Sequence, residues 1–307
     1  MSLDKTTSAG AVIVAFHPSR EALADLVRCY RQQLRHVVVV DNTPGGADLG
    51  LVVQESGGEL LELGDNLGIG AALNRGIDRL MKCGCFWFFL SDQDSVPPAD
   101  LAARLMTAFC RLQGFGLRVA TVGALFLDPR TGHVSGFPRK NSCSNSHHVC
   151  PDWTGLVPAS YVITSGSLVS RDAIETVGPM AEELFIDYVD IEWCFRAASR
   201  GYAVYGEPAA VIEHTLGDRT VSFWLFGRRQ KALHSSPLRI YFQNRNYLLL
   251  CRLPHIGLCW KLLSLAKRTA AVLLYMVVAR HRLAYLRSAL KGFRDGLMGR
   301  TGAAGER

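Results

Sequence analysis

Uninterrupted apolar runs alternate with amphipathic stretches in the first third of the chain. Residues 11–16, 36–40 and 86–90 form such runs without polar alternation, which is typical of strands buried on both faces of a parallel sheet. Residues 21–33 carry apolar side chains at helical spacing, and a shorter run at 60–63 precedes a second helical stretch. Strand and helix alternating in this way predict a right-handed parallel βαβ sheet.

The remaining chain has a more mixed pattern, and helices become dominant towards the C-terminus. We predict further strands at residues 119–127, 161–170, 202–205 and 209–213. We predict further helices at residues 101–117, 171–177, 258–265, 269–280 and 281–297, with an acidic helix that ends near residue 199. The chain is therefore expected to combine an α/β part with a helical C-terminal part.

The composition disfavours several classes of protein. About half of the 307 residues are apolar, yet no apolar run reaches the roughly 18 to 20 residues that span a bilayer. The first residues lack the basic-then-apolar pattern of a signal peptide, so a cytoplasmic protein is expected. The nine cysteines show neither the spacing of zinc sites nor partner histidines, and most are expected to be free thiols.

The net charge of +7 is concentrated in the C-terminal part of the chain. From Arg228 onwards, basic residues far outnumber acids, and leucines are interleaved with them in the predicted helices. Such helices either dock on an anionic membrane surface or pack within a homo-oligomer. A non-catalytic protein that binds nucleic acid or anionic lipid is a further option, but no helix-turn-helix, RRM or zinc-finger motif is present, so no nucleic-acid partner is expected.

Two aspartates follow the apolar run that ends at Leu90. Asp92 and Asp94 flank a single residue, so in an extended chain both side chains would point the same way. Ligands of open α/β sheets bind beyond the carboxyl ends of the strands, and paired carboxylates suit a Mg²⁺ or Mn²⁺ ion that also holds phosphates. The alternative is an acidic turn that caps the following helix.

Other residues with ligand-binding potential lie at or near the ends of predicted strands. They are Asp41 and Asn42 after the second strand, Asn66 and Gly68 after the third, Gly166 within a later strand, and His214 after the last. No G-x-G-x-x-G follows the first strand and no G-x-x-x-x-G-K-[ST] occurs, so a dinucleotide-dependent dehydrogenase and a P-loop NTPase are disfavoured. A nucleotide would instead be held by Asp41 and by a metal at Asp94.

A second acidic cluster lies in an aromatic-rich segment that leads into a helix. Asp187, Asp190 and Glu192 make up this cluster. Anions near a helix N-terminus are stabilised by the helix dipole, and a carboxylate among aromatic side chains is a candidate for proton abstraction. The alternative is a capping role for Asp190, with an ion pair to Arg196.

Taken together, five motifs resemble those of the inverting GT-A glycosyltransferases of family 2. The motifs are Asp41-Asn42, Asp92-Gln93-Asp94, Thr164-Ser165-Gly166, Val189-Asp190-Ile191-Glu192 and His214. The likeness is greatest to bacterial rhamnosyltransferases that use dTDP-L-rhamnose, and it covers about residues 11–250. It implies a GT-A fold, with a Rossmann-like, mostly parallel central sheet flanked by helices and a helical C-terminal extension. The nucleotide-sugar-binding and catalytic domain would be residues 1–235, and residues 236–307 a basic helical region.

The resemblance also assigns a role to each member of the second acidic cluster. When the segment is aligned on Arg196, Asp190 falls on the catalytic base and Glu192 on the acid that follows it. Val189 stands where the family usually has Glu, and Asp187 is a rival for the role of base. The base would deprotonate an acceptor hydroxyl on the face of the sugar opposite the diphosphate.

The resemblance implies a metal and donor site at the other motifs. Asp94, supported by Asp92 and His214, would hold Mg²⁺ or Mn²⁺, and Asp92 would also contact the donor. Asp41 would receive the nucleobase. The further substrate-binding positions that it implies are Asn42, Asn66, Gly68, Gly166, Asp187, Glu192 and Arg245.

The implied reaction is a metal-dependent, inverting transfer of L-rhamnose from dTDP-L-rhamnose to a hydroxyl of a cell-surface glycan precursor, such as lipopolysaccharide or O-antigen. The expected partners are this sugar nucleotide and a glycan or lipid-linked acceptor. The alternative is the same fold and mechanism with a UDP-hexose donor, galactose or glucose. We expect the protein to be peripheral at the inner face of the cytoplasmic membrane.

Overall fold

The computed structural model describes residues 8–129, 132–134, 136–138, 155–214, 219–225, 228–279 and 281–305. The chain divides into two compact units. The first consists of Met1–Phe185 and Val189–Thr215, and the second of Ile186–Tyr188 and Leu216–Arg307. The division at residue 215 lies within the catalytic domain predicted as residues 1–235, and those predicted functional domains stay a prediction.

Parallel strands form one half of the central sheet in the first unit. They are β1 (Ala9–Ala15), β2 (His36–Asp41), β3 (Glu59–Glu62) and β4 (Trp87–Asp92), in the spatial order β3-β2-β1-β4. Ile13, Val39 and Phe89 of these strands are completely buried. The sequence prediction of a parallel sheet from unbroken apolar runs is confirmed here.

The other half of the sheet is mixed. The longer strands are β6 (Val119–Asp128), β9 (Ser167–Ser170) and β10 (Ala203–His214), and the two-residue strands are β5 (Ser95–Val96), β7 (His133–Val134) and β8 (Val157–Pro158). Strand β9 runs antiparallel to both β4 and β6, whereas β10 runs parallel to β6. The end of β10 pairs with β5, which brings it next to the residues that follow β4.

Helices pack on both faces of this sheet. They are α1 (Arg20–Gln33), α2 (Gly50–Glu55), α3 (Ile69–Lys82), α4 (Leu101–Gly114), α5 (Arg171–Val177) and α6 (Val189–Ser199). Leu23 of α1 and Phe109 of α4 share a buried cluster with Ile13 on one face. On the other face, a Cβ atom at Gly76 of α3 would collide with Val12, so the missing side chain lets α3 approach the sheet closely.

The second unit contains a hairpin and three helices. The elements are β11 (Arg219–Leu225), β12 (Arg228–His234), α7 (Pro237–Cys251), α8 (Leu258–Val278) and α9 (Arg282–Leu297). Helix α9 packs on α7 through Gly292 and Gly296, where a Cβ atom would collide with the carbonyl oxygens of Tyr241 and Arg245. Throughout the described residues, every helix is too short or too polar to cross a membrane.

Three predicted elements differ from the structure. Residues 161–166 are not a strand, because Gly166 has a φ of +71° and β9 begins only after it. Residues 203–214 form a single strand whose register shifts between Glu207 and Val211, where two strands were predicted. Residues 258–278 form one helix, since no proline or glycine interrupts them.

Among the described residues, most cysteines are free thiols, as predicted. The free ones are Cys29, Cys83, Cys85, Cys110, Cys194 and Cys251, whereas Cys259 is disulfide-bonded.

Candidate active site

The first two motifs meet at the carboxyl ends of three neighbouring strands. Strand β1 lies between β2 and β4, with Ala15 opposite Asp41 and Val14 opposite Asp92. The parallel register therefore brings the two aspartates to the same edge of the sheet, where open α/β folds bind ligands.

Asp41 organises the turn that follows β2. Its side chain is fully buried, and its two oxygens accept hydrogen bonds from the N–H groups of Thr43 (3.0 Å) and Ala47 (2.7 Å). The hydroxyl oxygen of Thr43 in turn accepts a hydrogen bond from the N–H of His17, at 3.0 Å. The carboxylate therefore fixes the backbone between β2 and the residues that follow β1.

A pair of asparagines connects the end of β2 to the start of α3. The Nδ2 of Asn42 donates to the Oδ1 of Asn66 at 3.0 Å, and the Oδ1 of Asn42 accepts a hydrogen bond from the N–H of Leu67 at 2.8 Å. The Oδ1 of Asn66 also accepts a hydrogen bond from the N–H of Gly68, at 3.1 Å. These side chains set the direction in which α3 leaves the edge of the sheet.

Gly68, at the start of α3, allows the backbone of Phe185 to approach closely. It has a φ of +87°, and an added Cβ atom would lie 2.6 Å from the carbonyl oxygen of Phe185. The N–H of Ile69 donates to that same oxygen at 2.7 Å. Further along α3, the side chain of Asn74 donates to the carbonyl of Met180 (3.0 Å) and accepts from its N–H (2.8 Å). Helix α3 therefore holds the chain that leads to the second acidic cluster.

The Asp92-Gln93-Asp94 motif forms a turn held from two sides. Strand β4 ends at Asp92, and residues 93–94 turn towards β5, so the expectation of an extended chain between the two aspartates is wrong. The amide of Gln93 accepts a hydrogen bond from the N–H of Phe16 (2.6 Å) and donates to its carbonyl (3.0 Å). The Oγ of Ser165 accepts a hydrogen bond from the N–H of Asp92 at 2.8 Å and lies 2.6 Å from the Oγ of Ser95.

The last strand brings His214 to the same turn. In the antiparallel register of β10 and β5, His214 is opposite Ser95, the residue that follows Asp94. Gly166 permits the approach of β10, because an added Cβ atom would lie 2.8 Å from the Cδ1 of Ile212. The backbone thus juxtaposes the three positions of the predicted metal site.

The chemistry of these residues fits a divalent cation that is shared with a phosphate ligand. Asp94 is exposed and Asp92 is half-buried. Within the part of the chain that the structure describes, no group of three or more His, Cys, Asp or Glu side chains could hold a metal ion by itself. Carboxylate oxygens suit Mg²⁺ and Mn²⁺, which commonly take one or two protein carboxylates and complete their coordination with phosphates and water.

The residues that precede α6 have an unusual backbone conformation. Phe185, Asp187 and Tyr188 have φ angles of +65°, +62° and +69°. Positive φ is uncommon outside glycine and costs of the order of 1–3 kcal/mol per residue, so it persists only where surrounding contacts impose it. Such strained residues cluster at functional sites, and here they lie directly before Asp190 in the first turn of α6.

Asp187 is held by α7 within the second unit. Its carboxylate accepts hydrogen bonds from the guanidinium of Arg239 at 2.9 and 3.2 Å. Asn246 donates from Nδ2 to the carbonyls of Ile186 (2.7 Å) and Asp187 (3.2 Å). Tyr188 contacts Trp260 edge to face at 5.8 Å between ring centroids, and burial raises the pKa of Tyr188 to about 12. These contacts maintain the strained backbone.

Glu192 and Asp190 have different surroundings. Glu192 is buried and accepts two hydrogen bonds from Arg196, at 2.9 and 2.8 Å. Arg196 also donates to the carbonyls of Val177 and Pro179, so this pair anchors the connection between α5 and α6. The ion pair to Arg196 that the alternative interpretation gave to Asp190 is thus formed by Glu192. Asp190 is partly exposed, and its Oδ1 accepts a hydrogen bond from the N–H of Ile191 at 2.8 Å.

Arg245 lies in the interior of the helical unit. It has no exposed surface, and its guanidinium stacks on Phe242 at 4.8 Å from the ring centroid. Its Nε donates to the Oδ1 of Asn246 at 2.9 Å, and burial lowers the pKa of the Arg245 guanidinium. The structure therefore places Arg245 behind Asn246, whose amide holds residues 186–187.

Sequence reasoning missed several residues at the edge of the sheet. Phe16 is 43% exposed directly after β1, and its ring packs edge to face on His17 at 4.5 Å between centroids. Both lie at the carboxyl end of a buried strand, as Asp41 and Asp92 do, and this position is the signal that could have identified them. Gln93 and Ser165 were noted only as parts of motifs, because their partners lie far away in the sequence.

One curated relative covers nearly the whole chain. The chain is 31% identical over 296 residues to the dTDP-rhamnosyl transferase RfbF of Shigella flexneri, and the alignment covers 95% of this chain and 96% of that protein. No protein-family model matches the chain.

Solved glycosyltransferase structures share its fold. A structure of GalNAc-T7 with UDP, GalNAc and Mn²⁺ matches 95% of this chain with a TM-score of 0.51 at 12% identity, and one of TarS from S. aureus matches 89% with a TM-score of 0.51 at 12% identity. The chain spans 56% and 44% of those two proteins, and 80% of a shorter TarS structure, residues 1–349. The predicted GT-A fold is thereby confirmed. With near full-length identity above 30% to RfbF, the chain belongs to the same family of GT-A glycosyltransferases and is an enzyme of that class.

Proposed function

We propose that this enzyme transfers L-rhamnose from dTDP-L-rhamnose to a hydroxyl group of a cell-surface glycan precursor, with inversion at the anomeric carbon. The observation that carries the proposal is the 31% identity, over 95% of the chain, to a protein named as a dTDP-rhamnosyl transferase. The acceptor would be a glycan or lipid-linked intermediate of lipopolysaccharide or O-antigen synthesis.

The donor would bind at the carboxyl ends of β1, β2 and β4. The exposed ring of Phe16 offers a stacking surface for the thymine, and the turn organised by Asp41 borders it. Asp94, with Asp92 and His214 in support, would hold Mg²⁺ or Mn²⁺. When bound, the cation would neutralise charge that develops on the leaving diphosphate. Gln93 and Ser165 keep this turn in place.

Asp190 would serve as the base in the attack on the sugar. Its carboxylate removes the proton of an acceptor hydroxyl while that oxygen forms a bond to the anomeric carbon. The bond between this carbon and the diphosphate oxygen breaks, and dTDP leaves with the electron pair. The N-terminus of α6 favours the ionised carboxylate that this step requires.

A panel of sugar nucleotides tests the donor. The melting temperature of the purified enzyme would be measured with dTDP-L-rhamnose, dTDP-glucose, UDP-galactose or UDP-glucose, each with and without Mn²⁺. In a separate assay, the slow hydrolysis of each donor by the enzyme would be measured. A ligand that binds the folded state raises the melting temperature, so dTDP-L-rhamnose with Mn²⁺ is expected to give the largest shift. It is also expected to be hydrolysed fastest.

A UDP-hexose donor is the second candidate. The observation in its favour is the shared fold with GalNAc-T7, whose structure contains UDP, GalNAc and Mn²⁺. Because dTDP-glucose shares its base with one candidate and its sugar with the other, it separates recognition of the base from that of the sugar. A larger shift with UDP-glucose than with either dTDP donor would replace the rhamnosyl proposal.

A further inference from the structure

Helix α9 has a regular outer face. Leu283, Arg287, Leu290, Arg294 and Leu297 follow one another at alternating spacings of four and three, so they lie along one side of the helix. We refer to these five residues as the Leu/Arg face. Its leucines are 63%, 59% and 68% exposed, and both arginines are exposed as well. The face is about 21 Å long at 1.5 Å per residue.

The opposite side of α9 is already used for packing. Tyr285, Ala289, Gly292 and Asp295 are buried, and the glycines approach the backbone of α7. Asp295 accepts a hydrogen bond from the hydroxyl of Tyr241 at 3.0 Å. Of the Leu/Arg face, Arg294 also serves this packing, since its guanidinium lies 3.1 Å from Asp295, whereas the three leucines and Arg287 are exposed. Exposed leucines at regular spacing on one helical face indicate a binding surface.

The charge around this face is almost entirely positive. Between residues 252 and 305, ten lysines and arginines are accompanied by a single acidic residue, Asp295. Asp295 is 2% exposed and lies beside the cationic groups of Arg294 and Arg300, at 3.1 and 3.2 Å. Helix α8 adds exposed leucines and contains no acid at all. A partner surface that complements these helices has to be both apolar and anionic.

We propose that the Leu/Arg face docks this enzyme on an anionic lipid surface. The leucines would enter the boundary between headgroups and acyl chains, and the arginines would bind lipid phosphates. A second copy of the chain fits less well, because a two-fold interface through this face would place cationic residues against cationic residues. The described part of these helices offers no exposed acid to pair with them.

Co-sedimentation with lipid vesicles tests this inference without a sugar donor, so its result is independent of the proposed reaction. The full chain is expected to sediment with phosphatidylglycerol vesicles and far less with phosphatidylcholine vesicles, and high salt should release it. Replacing all three leucines, as Leu283→Ser, Leu290→Ser and Leu297→Ser, is expected to weaken binding at least about tenfold. Arg287→Glu changes the face by two charges and should weaken it about thirtyfold.

Matched controls lie in the first unit. Leu51→Ser replaces a leucine that is 75% exposed on α2, and Lys82→Glu reverses an exposed charge on α3. Both control variants should bind vesicles like the parent chain, and all variants should keep its melting temperature. Equal binding to phosphatidylglycerol and phosphatidylcholine vesicles would overturn the proposal. It would also be overturned if the parent chain did not bind vesicles and the triple leucine variant converted a dimer to a monomer.

Discussion

Three carboxylates within six residues have different partners, and the difference bears on the choice of base. Asp187 is bound by Arg239, and Glu192 is buried against Arg196. Each of these two ion pairs holds a part of the backbone in place, Asp187 the residues before α6 and Glu192 the connection between α5 and α6. Asp190 is partly exposed at the start of α6, where a substrate hydroxyl could reach it. Asp190 therefore stays the proposed base, as the resemblance implies.

Asp190→Asn is expected to lower kcat by a factor of about 10² to 10⁴, the usual contribution of a general base. Binding of the donor should be unchanged, since the substitution conserves shape and removes only the proton acceptor. Steady-state kinetics and calorimetric titration of the donor would measure the two effects. Glu192→Gln is the control, and it should lower the melting temperature because it weakens a buried ion pair. A fully active Asp190→Asn variant would exclude Asp190 as the base.

Ser165 is expected to matter for the donor even though it is buried. Ser165→Ala removes the acceptor of the Asp92 N–H, so the turn that carries Asp92 and Asp94 loses a restraint. The KM for the donor should rise roughly tenfold, equivalent to about 1.4 kcal/mol. Ser167→Ala is a matched control, since Ser167 is also buried and donates to the carbonyl of Thr164 at 2.7 Å. Ser167→Ala is expected to lose a similar amount of stability and to keep the KM of the parent enzyme. Equal KM values in the two variants would contradict the proposal that Ser165 positions the turn of Asp92 and Asp94.

At the level of elements, the sequence pattern predicted what depends on neighbours along the chain. Unbroken apolar runs identified β1, β2 and β4 because strands covered on both faces have no polar alternation. The polar residues after them were correctly expected at one edge, since parallel strands end together. Contacts between distant segments were not predictable. Asn74 binds Met180 across 106 residues, and nothing in either local pattern signals this pairing.

Gly68 and Gly64 compare a glycine at the contact with Phe185 with a glycine in open space. Both have positive φ, but an added Cβ meets Phe185 at Gly68 and no atom within 4 Å at Gly64. Gly64→Ala should lower the free energy of unfolding by about 1–2 kcal/mol through strain alone. Gly68→Ala should lower it by a further 1–3 kcal/mol or so, because Phe185 must move and because the backbone at Gly68 (φ 87°, ψ 163°) lies in a region almost confined to glycine. Only Gly68→Ala is expected to reduce kcat as well, which urea unfolding and initial rates would show.

On the scale of the whole molecule, the second acidic cluster is divided between the two units. Ile186–Tyr188 belong to the helical unit, whereas Phe185 and Val189 on either side belong to the sheet unit. The reason is the set of contacts with α7, in which Arg239 reaches Asp187 across 52 residues. A domain boundary predicted from composition is a single point on the chain. Sequence analysis therefore could not predict that residues 186–188 belong to the helical unit while the residues on either side belong to the sheet unit. The helical unit is thereby linked covalently to the residue proposed as base.

If the acceptor is lipid-linked, docking and catalysis become coupled through the surface on which the acceptor lies. Arg287→Glu should then keep full activity towards a soluble acceptor glycan, because Arg287 is remote in sequence from every proposed catalytic residue and lies on the outer face of α9. Its rate with the same glycan on a lipid carrier in phosphatidylglycerol vesicles should fall at least about tenfold, since the enzyme no longer concentrates at the surface. Radiolabelled donor would measure both rates, with Lys82→Glu as the control. Loss of activity on the soluble acceptor would show that Arg287 supports the fold or the active site. Equal rates of the variant on both acceptors would show that the reaction does not depend on lipid docking.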